Sequence, residues 1–146
     1  MVIWRGLNMN LIQAKRNLKF ADYIEKEIPD DKFDMFCWFK DTKPTCGSTA
    51  CLAGHAVLWP PYARLISKLY KAKKQPLPEL TYRADMLAEI MGDNNVARLF
   101  YMCHSTKNKV LHLFRNLVYA HFPELKSDKH KKTKLKIKKR KQSCAA

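Results

Sequence analysis

Two side chains able to do covalent chemistry, Cys51 and His55, stand four positions apart in a segment rich in small residues. On a helix this spacing places both on one face. A thiol in the first turn of a helix has a lowered pKa, and a neighbouring imidazole can act as its base. The backbone N–H groups of Gly47 and Ser48 could then stabilise an oxyanion. One hypothesis is therefore a thiol-dependent enzyme centred on Cys51, although the distant His and Asn of papain-like enzymes have no recognisable counterparts.

The same two residues fit a metal site if cysteines upstream join them. Cys37, Cys46, Cys51 and His55 are the residue types of a four-ligand structural zinc site. Their spacing lacks the close Cys-x2-4-Cys pair found in most such sites. We therefore expect no cofactor, and zinc is the alternative.

A third interpretation makes this segment architectural, and we favour it. Ser48 or Thr49 can cap a helix that begins at about Ala50. The small residues Ala53, Gly54 and Ala56 would let another helix approach closely. Cys46 and Cys51 then behave as small buried apolar side chains, as free cysteines commonly do.

Residues 46–56 read Cys-Gly-Ser-Thr-Ala-Cys-Leu-Ala-Gly-His-Ala, downstream of Phe33-Asp34-Met35 and Trp38. This pattern resembles a group of small bacterial and phage proteins that share Phe-Asp-Met, a Trp and Cys-Gly-Thr-x-x-Cys-x-Ala-Gly-x-Ala. The resemblance covers about residues 10–101. It implies a helical architecture and a bacterial or phage source, and it brings no catalytic residue to this chain. Members of the group often carry Trp where His55 stands, which implies that His55 is not a ligand, and they generally lack a basic tail.

The C-terminal segment 126–141 is strongly cationic. It reads KSDKHKKTKLKIKKRK and holds ten Lys or Arg against one Asp, so it carries +9 of the formal net charge of +15. Such a segment attracts polyanions by releasing their counterions. It has too few apolar residues for an amphipathic membrane helix, and no aromatic residue for base stacking. The residues expected to contact the phosphates of DNA or RNA are Lys126, Lys129, Lys131, Lys132, Lys134, Lys136, Lys138, Lys139, Arg140 and Lys141.

Apolar residues recur at helical spacing along most of the remaining chain. The pattern predicts a mostly α, single-domain bundle of about five to six short helices over residues 10–123, followed by a basic, disordered tail over 124–146. The predicted helices span about 10–28, 50–58, 62–70, 79–91, 94–102 and 105–119. The aromatic stretch Phe33–Phe39 has no obvious partner strand, so we expect a packed loop or helical turn there.

Further polar residues are scattered through the predicted helices. Three groups of basic residues are expected on the surface: Lys15, Arg16 and Lys19; Lys68, Lys71, Lys73 and Lys74; and Lys107, Lys109 and Arg115. Exposed lysines of this kind can serve solubility alone. The histidines His112, His121 and His130 are expected to face solvent.

The leading functional hypothesis is a small phage or bacterial accessory protein that binds nucleic acid non-specifically through its tail. The alternative is a protein-interaction module, such as a phage factor that diverts a host protein, with Phe33–Phe39 as its contact surface. No apolar run approaches the roughly 20 residues of a membrane helix, and the N-terminus has no secretory signal pattern. We therefore expect a cytoplasmic protein with no membrane span, located in the host cytoplasm if a phage encodes it.

Overall fold

The computed structural model describes residues 8–35, 50–100, 102 and 105–127, and of Leu80 and Thr81 it describes the backbone only. The expected mostly α architecture is confirmed for these ranges, in which there are seven α-helices and two 3₁₀ turns but no strand. The α-helices are α1 (Leu11–Glu27), α2 (Leu52–Leu58), α3 (Pro60–Ala72), α4 (Leu80–Arg83), α5 (Leu87–Met91), α6 (Val96–Phe100) and α7 (Lys107–His121). Most of the predicted tail, from residue 128 onwards, lies outside the described residues.

The start of α1 is determined by Asn10 and Gln13. The Asn10 side chain accepts a hydrogen bond from the Gln13 N–H at 2.8 Å, and Gln13 Oε1 accepts one from the Asn10 N–H at 2.9 Å. This reciprocal arrangement, a capping box, pairs two N–H groups that the first helical turn leaves without partners. At the other end the chain turns extended at Ile28, before Pro29. Both limits of α1 agree with the sequence pattern.

A buried asparagine joins three helices. Asn17 on α1 is 0% exposed, and its Nδ2 donates to the carbonyl oxygen of Met91, at the end of α5, at 2.9 Å. Its Oδ1 accepts a hydrogen bond from the hydroxyl of Tyr62 on α3 at 2.6 Å. Burial raises the pKa of Tyr62 well above its usual range, so the hydroxyl stays protonated and remains a donor. We call Asn17, Tyr62 and the Met91 carbonyl the Asn17 hub.

Aromatic packing surrounds this hub. Phe20 on α1 is fully buried, and its ring centroid lies 5.1 Å from that of Tyr62 and 5.9 Å from that of Phe114 on α7. The ring centroid of Trp59, which lies between α2 and α3, is 5.3 Å from that of Phe20. Tilted and edge-on ring contacts of this kind add to the gain from burial alone. Phe20 therefore connects α1 both to α3 and to α7.

The segment before α2 differs from the expected helix start. Ala50 N–H donates to the Lys32 carbonyl at 3.1 Å, and Asp34 N–H donates to the Ala50 carbonyl at 3.0 Å, which makes an isolated parallel bridge between Phe33 and Ala50. Because Ala50 is held extended, the helix begins only at Leu52, with Cys51 as its N-cap. The prediction that Ser48 or Thr49 caps this helix is therefore wrong.

The predicted helix over 79–91 is divided. A 3₁₀ turn at Ala84–Met86 separates α4 from α5. At the end of α5, Gly92 has φ +81°, the left-handed conformation that glycine adopts without strain. A Cβ atom at this position would also stand 2.5 Å from Gln13 Oε1. Gly92 therefore ends α5, in agreement with the predicted helix end at residue 91, and lets the start of α1 approach closely.

Helix α7 is attached to the rest of the fold by charged contacts. Arg115 Nη2 lies 2.8 Å from Asp22 Oδ1 and 3.1 Å from Glu25 Oε2, and both carboxylates are on α1. Lys107 Nζ lies 2.7 Å from Asp30 Oδ1. The prediction that Lys107 and Arg115 belong to an exposed basic cluster is wrong, because these two side chains are mostly buried and paired.

The histidine at the end of α7 also has a partner. His121 Nε2 lies 2.7 Å from Asp93 Oδ2, and Asp93 Oδ1 accepts a hydrogen bond from the Asn95 N–H. The expectation that His121 faces solvent is wrong for this reason. Beyond α7, Leu125 still packs against the small cluster formed by Met9, Ala14 and Val118. None of the helices in the described ranges has the length and apolar character needed to span a bilayer.

The Asn17 hub makes a direct stability prediction. Tyr62→Phe removes the only donor to Asn17 Oδ1 among the described residues and should lower the free energy of unfolding by about 1–3 kcal/mol, because a buried acceptor is left unpaired. The matched control is Tyr70→Phe at a half-buried tyrosine on the same helix, which should change it by less than about 0.5 kcal/mol. Urea titration measures both values, and equal effects would contradict the hub.

Candidate functional site

Cys51 is placed as a helix cap. It is 3% exposed, and its Sγ accepts a hydrogen bond from the Gly54 N–H at 3.4 Å. This contact satisfies one of the N–H groups that the first turn of α2 leaves without a helical partner. A nucleophile must be reachable by its substrate, and this thiol is enclosed by the core. The geometry therefore favours the architectural interpretation of Cys51.

His55 is likewise enclosed. It is 2% exposed, its ring stacks on Phe33 with centroids 6.0 Å apart, and its Nε2 lies 2.8 Å from the Lys32 carbonyl oxygen. Because a carbonyl oxygen only accepts, Nε2 must carry the proton. Burial lowers the pKa of His55 below its ordinary value of 6.5, and hydrogen bonds to the backbone of Lys32 and Ala50 oppose this only in part. The imidazole therefore holds the 33–50 bridge against α2, and this ring nitrogen has no lone pair left for a metal or a proton.

The other metal candidates, Cys37 and Cys46, lie outside the described residues. Within the ranges that are described, no three side chains of His, Cys, Asp or Glu come close enough together to hold a metal ion. Zinc at Cys51 and His55 would require both residues to leave their present hydrogen bonds.

A cleft of about 540 Å³ opens between the turn at Asp30–Met35 and the start of α7. Lys107 lines this cleft, and its Nζ already has two partners. It pairs with Asp30 Oδ1 and donates a hydrogen bond to the Ile28 carbonyl oxygen at 2.9 Å. The aromatic stretch proposed as a protein-contact surface begins at this cleft, but Phe33 and Met35 are 8% and 5% exposed. This part of the stretch belongs to the core, and residues 36–39 lie outside the described residues.

The most distinctive described surface lies on α3. Tyr62 and Ile66 point into the core and are fully buried, whereas Arg64, Lys68 and Lys71 are exposed on the opposite side. Residues 60–78 contain five Lys or Arg and no Asp or Glu. Among the described residues, no carboxylate lies within 4.0 Å of those three exposed basic side chains. We call Arg64, Lys68, Lys71 and Lys74 the α3 basic face.

The sequence pattern found this face only in part. It grouped Lys68, Lys71, Lys73 and Lys74 but missed Arg64, although Arg64 stands one helical turn before Lys68. Lys73 differs from its neighbours because its Nζ lies 4.0 Å from Glu89 Oε2. Of the ten tail residues predicted to contact phosphates, Lys126 is described and exposed. The other nine, from Lys129 to Lys141, lie outside the described residues.

Comparison of the chain with protein-family models, with curated proteins and with solved structures found no match. The resemblance drawn from residues 33–56 therefore stays a prediction. Any function proposed for this chain rests on its own charges and geometry.

Burial of His55 predicts a pH dependence of stability. Its pKa is lower in the folded chain than in the unfolded one, so its contribution is complete above about pH 6.5 and is lost as the pH falls. His55→Gln keeps a donor for the Lys32 carbonyl but cannot be protonated. Below about pH 6.5 the wild-type chain should lose stability more steeply than this variant, by up to about 1.4 kcal/mol per pH unit. His112→Gln, at an exposed histidine, is the control and should follow the wild type; parallel curves for all three would refute the burial effect.

Burial of Cys51 predicts slow thiol chemistry. Alkylation of Cys51 near neutral pH should be slower in the folded chain than in urea by roughly tenfold or more, because the reagent reaches the buried thiol only when the structure opens locally. Peptide mapping after alkylation measures the rate at this cysteine. A Cys51 that reacts faster in the folded chain than in the unfolded one would restore the nucleophile hypothesis.

Proposed function

We propose that this chain is a small accessory protein of a phage or bacterium that binds nucleic acid without sequence preference and acts in the cytoplasm. The observation that carries the proposal is the charge of residues 126–141, with ten Lys or Arg against one Asp. Neutralising phosphates with such a segment releases condensed counterions, which drives binding to any DNA or RNA. Sequence readout is not expected there, because base recognition uses aromatic stacking or side chains fixed against base edges.

The helical part of the chain supports this proposal through its charge distribution. Residues 1–125 keep 18 Lys or Arg against 12 Asp or Glu, a formal charge of +6. Several of those carboxylates are used within the fold: Asp22 and Glu25 bind Arg115, Asp30 binds Lys107, and Asp93 binds His121. These pairs also occupy Arg115 and Lys107, so they leave the formal charge of residues 1–125 at +6, and this positive charge adds to that of the tail.

Neutralising the tail tests the proposal. A full-length variant with the ten tail Lys and Arg residues changed to Gln should bind DNA and RNA much more weakly at low salt. The slope of log Kobs against log salt should become shallower by about 0.9 for each duplex phosphate that the variant no longer neutralises, and by about 0.7 for each phosphate of a single strand.

The matched control rearranges the order of residues 126–141 and keeps their composition. This variant should bind like the wild type, because the attraction depends on charge rather than on order. Fluorescence anisotropy at several salt concentrations gives both the affinity and the slope. Equal binding by the neutralised and wild-type chains, or binding by neither, would refute the proposal.

A further inference from the structure

The orientation of α3 makes its basic residues a single row. Arg64, Lys68 and Lys71 follow one another at spacings of four and three residues, so they share one side of the helix. At 1.5 Å per residue the row from Arg64 to Lys71 extends over about 10 Å of helix axis. The hydroxyl of Tyr62 and the packing of Ile66 turn the opposite side of α3 into the core. The row is therefore held outward by the fold itself.

The residue at the end of this row is conformationally unfavourable. Lys74 has φ +53°, and among the described residues it is the only one other than glycine with a positive φ. The helix ends through hydrogen bonds from the Lys74 N–H to the Lys71 carbonyl and from the Gln75 N–H to the Tyr70 carbonyl, both at 3.0 Å. Glycine is the usual residue at such a helix end because it adopts this conformation without strain. A strained residue points to a role besides stability, and here the residue carries a charge that extends the basic row.

The α3 basic face lacks the groups that bind unpaired bases. Its row contains no aromatic residue, Tyr62 is buried, and Tyr70 is half-buried and packs against the core. Single strands are bound largely through stacking of their bases on exposed aromatic rings. A row of cations on a rigid helix instead matches a rigid series of phosphates, and each strand of a duplex presents one phosphate per 3.4 Å of duplex axis. The face thus fits a duplex backbone better than a flexible single strand.

The helix before α3 excludes one common way of reading a duplex. In a helix-turn-helix motif the first helix crosses the DNA backbone while the second enters the major groove. Here α2 precedes α3, and its residues Leu52–Val57 are all buried. The exposed side of α3 also carries no Asn or Gln to pair with base edges. Contact to the backbone phosphates is what this arrangement permits.

We propose that the α3 basic face is a second, structured contact for nucleic acid and that it binds the phosphates of a duplex, while the tail binds any polyanion. This inference rests on the proposed function, since it assigns a partner class within nucleic-acid binding. It predicts that the chain prefers a duplex to a single strand of the same length and composition, and that α3 carries this preference.

The test uses the full-length chain with Arg64→Gln, Lys68→Gln and Lys71→Gln combined. Its control combines Lys15→Gln, Lys26→Gln and Lys109→Gln, which removes the same charge from exposed positions on α1 and α7. Duplex affinity at low salt should fall at least roughly tenfold for the α3 variant, and its salt slope should become shallower by about 2 to 3 units. The control variant should change the duplex slope by less than about one unit, and single-strand binding should be similar for both variants.

A further variant separates binding from folding. Lys74→Gly relieves the strained backbone, so it should raise the melting temperature while weakening duplex binding. A loss of affinity with gained stability cannot come from misfolding. If Lys74→Gly binds the duplex as tightly as the wild type, Lys74 does not contact it, and this part of the inference fails.

The remaining outcomes distinguish the inference from the proposed function. If the α3 and control variants bind the duplex alike while the tail-neutralised chain loses affinity, the inference fails and the proposed function stands. If the wild-type chain binds neither duplex nor single strand, both fail. A last measurement uses phosphatidylserine vesicles. Binding of the chain to these vesicles without binding to the duplex would assign the α3 basic face to a membrane surface and overturn the inference.

Discussion

The packing of this domain depends on satisfying one buried amide. Asn17 has no access to water, so its donor and acceptor groups must find partners within the core or leave them unpaired at a cost of about 1–3 kcal/mol each. The Met91 carbonyl and the Tyr62 hydroxyl supply those partners. They come from α5 and α3, so the requirement couples three helices that lie far apart in the sequence. Rotation of any one of them about its axis would break the arrangement.

The rotation of α3 links this core to the proposed function. With Tyr62 and Ile66 turned inward, Arg64, Lys68 and Lys71 have to point outward. The segment containing Cys51 and His55 also serves packing, since one residue caps α2 and the other binds the Lys32 carbonyl. These contacts favour the architectural interpretation of Cys51 and His55 over the catalytic and metal-binding ones. The exposed chemistry of the described surface is charge, concentrated on α3.

Local features of the sequence were sufficient to predict most helices, because apolar spacing and capping residues act within a few positions. The limits of α1 and the end of α5 at Met91 agree with the predicted spans 10–28 and 79–91. Cys51 as a cap was not predicted, because the bridge between Phe33 and Ala50 holds the preceding residue extended, and no local pattern encodes that pairing. The contact between His121 and Asp93 was missed for the same reason, since 28 residues separate them. The spacing of Arg64, Lys68 and Lys71 is visible in the sequence. Which side of α3 faces outward depends on how the helix packs against the core.

Joint contact of a duplex by the tail and the α3 basic face is tested most directly by lysine footprinting. The full-length chain would be acetylated with and without duplex DNA, and the extent of reaction at each lysine measured by mass spectrometry. We predict protection of Lys68, Lys71 and the lysines within 126–141, while Lys15 and Lys26 react equally in both samples. Protection spread evenly over all exposed lysines, or none within 126–141, would contradict joint contact.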